Sequence, residues 1–173
     1  MSLLQRIFGE RRQRTALDPL YRAAVAEARD PFWYRDGEVP DTMDGRFDMV
    51  AIVTALVLLR LEEEGEAGRA DSVLLAELFV DDMDGELRQL GIGDHIVGKH
   101  IGRMMSALGG RLGALREAKV TGDYRAVVLR NVFHEAPPSD AAVDLVAGRL
   151  QKLAARLAAT SAAALLEGRS AAS

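Results

Sequence analysis

Residues Met49–Leu59 are apolar except for Thr54, and Arg60 follows them at once. A membrane-spanning helix needs about 20 consecutive apolar residues, so a run this short ends inside a protein and not across a bilayer. Wound at about 100° per residue, it is apolar on nearly every side. Such a helix has no face to give to water and must be enclosed by others. A helix that begins near Asp44 and runs through Phe47–Leu61 is therefore the expected centre of a bundle. Elsewhere Ala and Leu are abundant, aromatics are only 5%, and apolar residues recur every three to four positions, with almost no strand signals. The expectation is an all-α, single-domain bundle of about six helices.

Local signals mark the other helices. Asp18-Pro19 has the form of an N-cap followed by proline at the first helical position, which opens a helix to about Arg29. Asp30-Pro31 stops it and leaves Phe32-Trp33-Tyr34 in a loop. The acidic Glu62-Glu63-Glu64-Gly65-Glu66 reads as a solvated end and loop. A third helix starts after Asp71 and ends before Gly91, with Ala76, Phe79, Met83, Leu87 and Leu90 facing inward. Gly91-Ile92-Gly93-Asp94 leads into a helix from about His95 to Lys119. Gly98, Gly102, Gly109, Gly110 and Gly113 each cost that helix up to about 1 kcal/mol relative to alanine, so it packs very closely on a neighbour or bends. A fifth helix follows Asp123 and stops before Pro137-Pro138. The last, capped by Ser139 or Asp140, runs to about Leu166. In domain terms this gives a basic, flexible segment 1–16, a helical domain 17–167 and a flexible tail 168–173.

Charge narrows the function classes. Lys and Arg total 22 against 26 Asp and Glu, a net charge of −4, where a dedicated DNA-binding protein carries a positive excess. With no cysteine there is no disulfide, thiol nucleophile or thiolate-held metal. The N-terminal residues lack the long apolar region and small-residue cleavage site of a secretory signal. They combine Leu3, Leu4, Ile7 and Phe8 with Arg6, Arg11, Arg12 and Arg14, which suits either peripheral contact with an anionic membrane surface through residues 1–14 or a frayed start docked on the domain.

Three constellations carry enough polar density to be weighed. In Asp81-Asp82-Met83-Asp84, helical spacing puts Asp82 and Asp84 on opposite sides of the Phe79/Met83/Leu87 stripe, and Asp81 points away. These side chains do not converge on a metal. A prenyl-diphosphate motif would need an aspartate where Gly85 stands, and no EF-hand loop is present. The patch is either boundary charge paired locally, Asp84 with Arg88, or an acidic edge for a partner. In Val39-Pro40-Asp41-Thr42-Met43-Asp44-Gly45-Arg46-Phe47-Asp48-Met49, Asp41 or Thr42 can cap the central helix, and Asp44 and Asp48 suit its positive end. Arg46 offers a planar fork to a carboxylate elsewhere in the fold. His95 and His100 lie on different helical faces, and His134 sits near a helix C-terminus, so no zinc pair is made. Asn131 is expected to tie its helix to a neighbouring backbone. The glycine pairs follow helices and are not nucleotide-binding loops.

Three motifs in order resemble the ubiquinol–cytochrome c chaperone family between about Leu17 and His134. They are Leu20-Tyr21-Arg22, then Val39 through Met49, then Phe79-Val-Asp-Asp-Met-Asp84 with Leu87-Arg88 and Gly91-Ile-Gly-Asp94. The pattern departs from the family's at Gly98 and His100, where a proline and a basic residue are expected, which thins a basic patch. The resemblance implies a non-enzymatic helical assembly factor without cofactor, metal or catalytic residues. It implies binding of newly made cytochrome b, nascent or membrane-inserted, with contact near the ribosome exit region and in some members a small helical partner. The bacterial branch is expected, in the cytoplasm or peripheral to the cytoplasmic face of the inner membrane. An apolar groove between helices with a charged rim would serve this purpose, and Tyr34, Arg35, Asp41, Asp44, Arg46, Asp82 and Asp84 are the expected rim. The alternative is a general helical protein–protein adaptor without a respiratory role.

Overall fold

The computed structural model describes residues 3–89 and 94–169, with side chains described for 14–85 and 102–169. The central helix α3 (Met43–Glu62) is enclosed as its sequence requires, with every residue from Asp48 to Leu61 buried. The enclosure comes from α1 (Leu3–Ala28), α4 (Glu66–Gln89), α5 (Asp94–Thr121) and α7 (Asp140–Ala159). Burying a side chain such as Ile52, Val53 or Val57 contributes about 1.5–3 kcal/mol, so α3 is the principal source of cohesion. Helix α6 (Tyr124–Asn131) packs on both α5 and α7. The short α2 (Pro31–Arg35) follows α1, and α8 (Ala162–Leu166) rests against α1. The described residues form an all-α bundle with eight helices, two more than expected.

The additional helices have local causes. Asp30 accepts a hydrogen bond from Phe32 N–H at 2.8 Å and Pro31 occupies the first turn, so the aromatic segment becomes α2 and not a loop. The final helix divides because Thr160 is extended and Ser161 caps a new turn by accepting from Ala164 N–H at 3.3 Å. Arg60 closes the break. Its guanidinium donates to the Leu157 and Thr160 carbonyls at 3.1 and 2.9 Å, satisfying acceptors that a continuous helix would have used itself.

Other boundaries also move. Asp18-Pro19 lies inside α1, where Asp18 pairs with Arg22 at 2.8 Å and burial of Leu17, Leu20, Tyr21 and Ala24 outweighs the local stop signal. Asp71 lies within α4, which begins at Glu66. Glu62, Glu63 and Glu64 are not merely solvated: they pair with Arg116, Lys119 and Arg60, and the first two of these pairs tie the end of α3 to α5. A Cβ added at Gly102, Gly109, Gly110 or Gly113 would meet nothing within 4 Å, so close packing does not explain these glycines. The side chains of Leu87, Arg88, Leu90, His95 and His100, the surroundings of Gly98, and the turn 91–93 lie outside the described residues, as do the N-terminal side chains before Arg14.

Candidate functional site: a charged-rim groove at the start of the central helix

Thr42 caps α3, its hydroxyl accepting from Gly45 N–H at 3.1 Å. The chain turns so tightly here that a Cβ on Gly45 would collide with the Pro40 carbonyl oxygen. Asp41 is thereby free of capping duty. It accepts instead from Nε of Arg46 at 2.6 Å, and that bond holds its carboxyl below the usual range. Arg46 is thus bonded to a near neighbour in sequence, where a carboxylate from elsewhere in the fold was expected.

The opposite wall is the junction of α1 and α2. The Trp33 indole N–H donates to the Glu27 carbonyl at 2.7 Å, which also accepts from Asp30 N–H, and the Tyr34 hydroxyl donates to the Ala28 carbonyl at 2.9 Å, so both side chains are tied to the end of α1. Arg149 of α7 lies over the Phe32 and Trp33 rings, 4.4 and 4.7 Å from their centroids, and bonds to Glu27 and Asp30 at 3.0 and 2.7 Å. The bond from Arg149 is the main reason the Asp30 carboxyl titrates low. Trp33 is fully buried, so the aromatic segment braces the wall and does not fill the space beside it.

Between these walls and α4 lies an open groove of about 860 Å³. Its apolar lining is the exposed Met43 and half-buried Phe47, with the nearly buried Val50 and Met83 at its floor. Its rim carries Arg29, Arg35, Arg46 and Asp41, with Tyr34 between them. Partial burial pushes the Tyr34 hydroxyl up, while Arg46 and Arg29 oppose that shift and Asp41 adds to it.

Behind Phe47 stands a buried ion pair absent from the sequence reading. Arg111 of α5 bonds to Asp48 of α3, donates to the Asn131 and Ala107 carbonyls at 3.1 Å each, and sits 5.9 Å from the Phe47 ring centroid. His134 Nε2 reaches the other Asp48 oxygen at 2.7 Å from a left-handed backbone position, φ 49°. Both Asp48 and Arg111 are 5% exposed. Burial raises the Asp48 carboxyl and lowers the Arg111 guanidinium, each against the pull of its partner. Asp48 is therefore a cross-tie between α3 and α5 and not a dipole-facing charge. The Asn131 side chain donates to Val127, one turn back in its own helix; the residue's carbonyl, not its amide, makes the inter-helix tie.

Four of the seven expected rim residues, Tyr34, Arg35, Asp41 and Arg46, line this one groove. Asp82 lines an adjoining crevice between α1 and α4, where it accepts from the Tyr21 hydroxyl at 2.9 Å. Asp44 is exposed on the first turn of α3, and Asp84 is partly buried on α4; neither lines the groove. Arg29, Pro31, Thr42, Met43, Phe47, Val50 and Met83 complete the lining. The i, i+4, i+7 spacing of Met43, Phe47 and Val50 is the sequence signal that would have found three of these. Among the described residues, no three His, Cys, Asp or Glu side chains are placed to hold a metal, and no helix is long and apolar enough to cross a membrane.

The sequence model of the ubiquinol-cytochrome C chaperone family matches residues 35–172. The chain belongs to this family. The matched region begins at Arg35, so it takes in the α3 and α4 walls of the groove and runs through α7, past His134; the Leu20-Tyr21-Arg22 motif precedes it. The crystal structure of the Cbp3 homolog from Brucella abortus is similar to the whole chain, at 29% identity and a TM-score of 0.78, covering 96% of this chain and 94% of that one. Among curated proteins, none matches the sequence.

Proposed function

We propose that this ubiquinol–cytochrome c chaperone works by binding, not catalysis, and that the groove at the start of α3 receives an apolar segment of newly made cytochrome b. The observation that carries this reading is the groove itself: four apolar side chains from α3 and α4 surrounded by three arginines and a carboxylate already bonded to one of them. Burial of an apolar guest against Met43 and Phe47, over a floor of Val50 and Met83, provides affinity, and the charged rim sets orientation and partner choice. The exposed Met43 suits a guest of variable shape, because the thioether chain repacks at low cost. In this reading the protein acts in the bacterial cytoplasm near the inner membrane. Its basic N-terminal residues contribute peripheral contact, and a position near the ribosome exit region gives access to the nascent subunit.

Affinity purification of the tagged protein from respiring cells should recover cytochrome b, and a deletion strain should lose assembled complex III. Normal complex III in the deletion strain, together with recovery of soluble partners only, would favour a general adaptor instead.

A further inference from the structure

The bundle holds the two halves of α5 differently. From Arg111 onward the helix is tied across to its neighbours: Arg111 to Asp48 and the Asn131 carbonyl, Arg116 to Glu62, and Lys119 to Glu63. This half cannot leave α3 without stranding Asp48 as a buried carboxylate without its guanidinium, which is strongly unfavourable. Among the described residues from Gly102 to Gly110, no side chain makes a hydrogen bond or ion pair to another helix. Only Met104 and Leu108 are buried in that stretch, at 6% and 2% exposure. Gly102, Gly109 and Gly110 are exposed, and a Cβ at any of them would meet nothing within 4 Å, so no contact requires glycine there. Each weakens the helix relative to alanine with no gain in packing.

We infer that α5 has a built-in point of opening: Gly102–Gly110 unwinds locally while Arg111–Thr121 stays docked on α3. Segments that open on their own have few buried apolar side chains and many exposed backbone groups, and this stretch has both. Its unwinding uncovers Met104 and Leu108, which belong to the same apolar cluster as Val50 and Met83 of the groove floor, with Phe47 packed against that cluster. Resting on the functional reading above, the closed molecule stores apolar surface beyond what the groove offers. A client that binds this surface holds the segment open, because it has affinity for the open state alone.

Hydrogen exchange of the full-length protein, read by mass spectrometry, tests the opening itself. Amides of 102–110 should be protected about tenfold less than those of 112–119. Gly109→Ala should raise protection in 102–110 by about fivefold. Gly148→Ala is the control: it lies on α7, where an added Cβ also meets nothing within 4 Å. It strengthens the fold as a whole but not the local opening, so 102–110 should not change. Equal protection of the two stretches, no effect of Gly109→Ala, or equal effects of both substitutions on 102–110 would overturn the inference. Because the chain has no cysteine, thiol labelling without denaturant gives a second reading. Met104→Cys should react faster than Leu115→Cys, a buried position in the docked half, and equal rates would count against the opening. Recovery of cytochrome b separates the opening from its use. Joining Gly109→Ala with Gly110→Ala should lower recovery severalfold; undiminished recovery despite raised protection defeats the role in client capture alone. Failure of the wild type to recover cytochrome b defeats the choice of client and leaves the opening standing.

Discussion

Two aspartate–arginine pairs stand close together at the start of α3, Asp41–Arg46 and Asp48–Arg111, and they do opposite work. The first joins near neighbours in sequence across an exposed turn, with side chains 57% and 61% accessible. The second joins residues on two helices and is almost wholly buried. In the buried pair desolvation outweighs attraction for both partners, so the pair fixes geometry at a net electrostatic cost. The exposed pair costs the fold little and leaves charge at the mouth of the groove. One pair builds the wall behind Phe47, and the other stands at the mouth of the groove.

The comparison breaks most sharply at Asp48. Asp48→Ala leaves the Arg111 guanidinium buried without its carboxylate and should cost about 3–5 kcal/mol in a urea titration. Asp48→Leu combined with Arg111→Met should recover most of that loss or exceed the wild type, because well-packed apolar pairs often outperform buried ion pairs. Gly45→Ala comes next. Its Cβ has no room beside the Pro40 carbonyl, so melting should report a loss of about 1–3 kcal/mol, and client recovery should fall with it.

A smaller effect lies in the pH dependence. The folded-state pKa of Asp48 is above the unfolded value of about 3.9, so the folded chain keeps its proton longer, and this group's contribution declines as pH rises from that value through the folded one. Asp41 behaves inversely. Its lowered pKa means that its contribution is present above about pH 3.9 and is lost as pH falls through the folded value. Melting temperature followed across the acid range should show Asp48→Asn removing a downward slope and Asp41→Asn removing an upward one. Smallest of all, Arg46→Gln should not measurably move the melting temperature, since exposed pairs contribute little, yet it should weaken retention of the client.

The difference between the pairs also explains what was legible beforehand. The enclosure of α3 could be read from Met49–Leu59, because an all-round apolar helix has only one solution. The caps Asp123 and Ser139 were legible because a side-chain oxygen three residues before an open N–H is a local arrangement. Tyr34, Arg35, Asp41 and Arg46 could be grouped because they are near in sequence and the short connection from α2 to α3 folds them together. Asp44 and Asp48 look alike in one dimension, one helical turn apart. Only the arrival of Arg111 from α5 makes one of them buried, and no local pattern encodes that meeting. Pro19 misled for the same reason: its flanks resemble a helix start, and only burial of the surrounding α1 side chains carries the helix through it.

The most direct test of the central claim is site-specific photo-crosslinking in living cells from two exposed apolar positions. Met43, at the mouth of the groove, is 55% accessible, and Val120, near the far end of α5 and away from the groove, is 86% accessible. A photo-reactive residue at Met43 should capture cytochrome b and the same residue at Val120 should not. Capture from Val120 alone, or none from Met43 while complex III is being assembled, would contradict the groove as the client's seat.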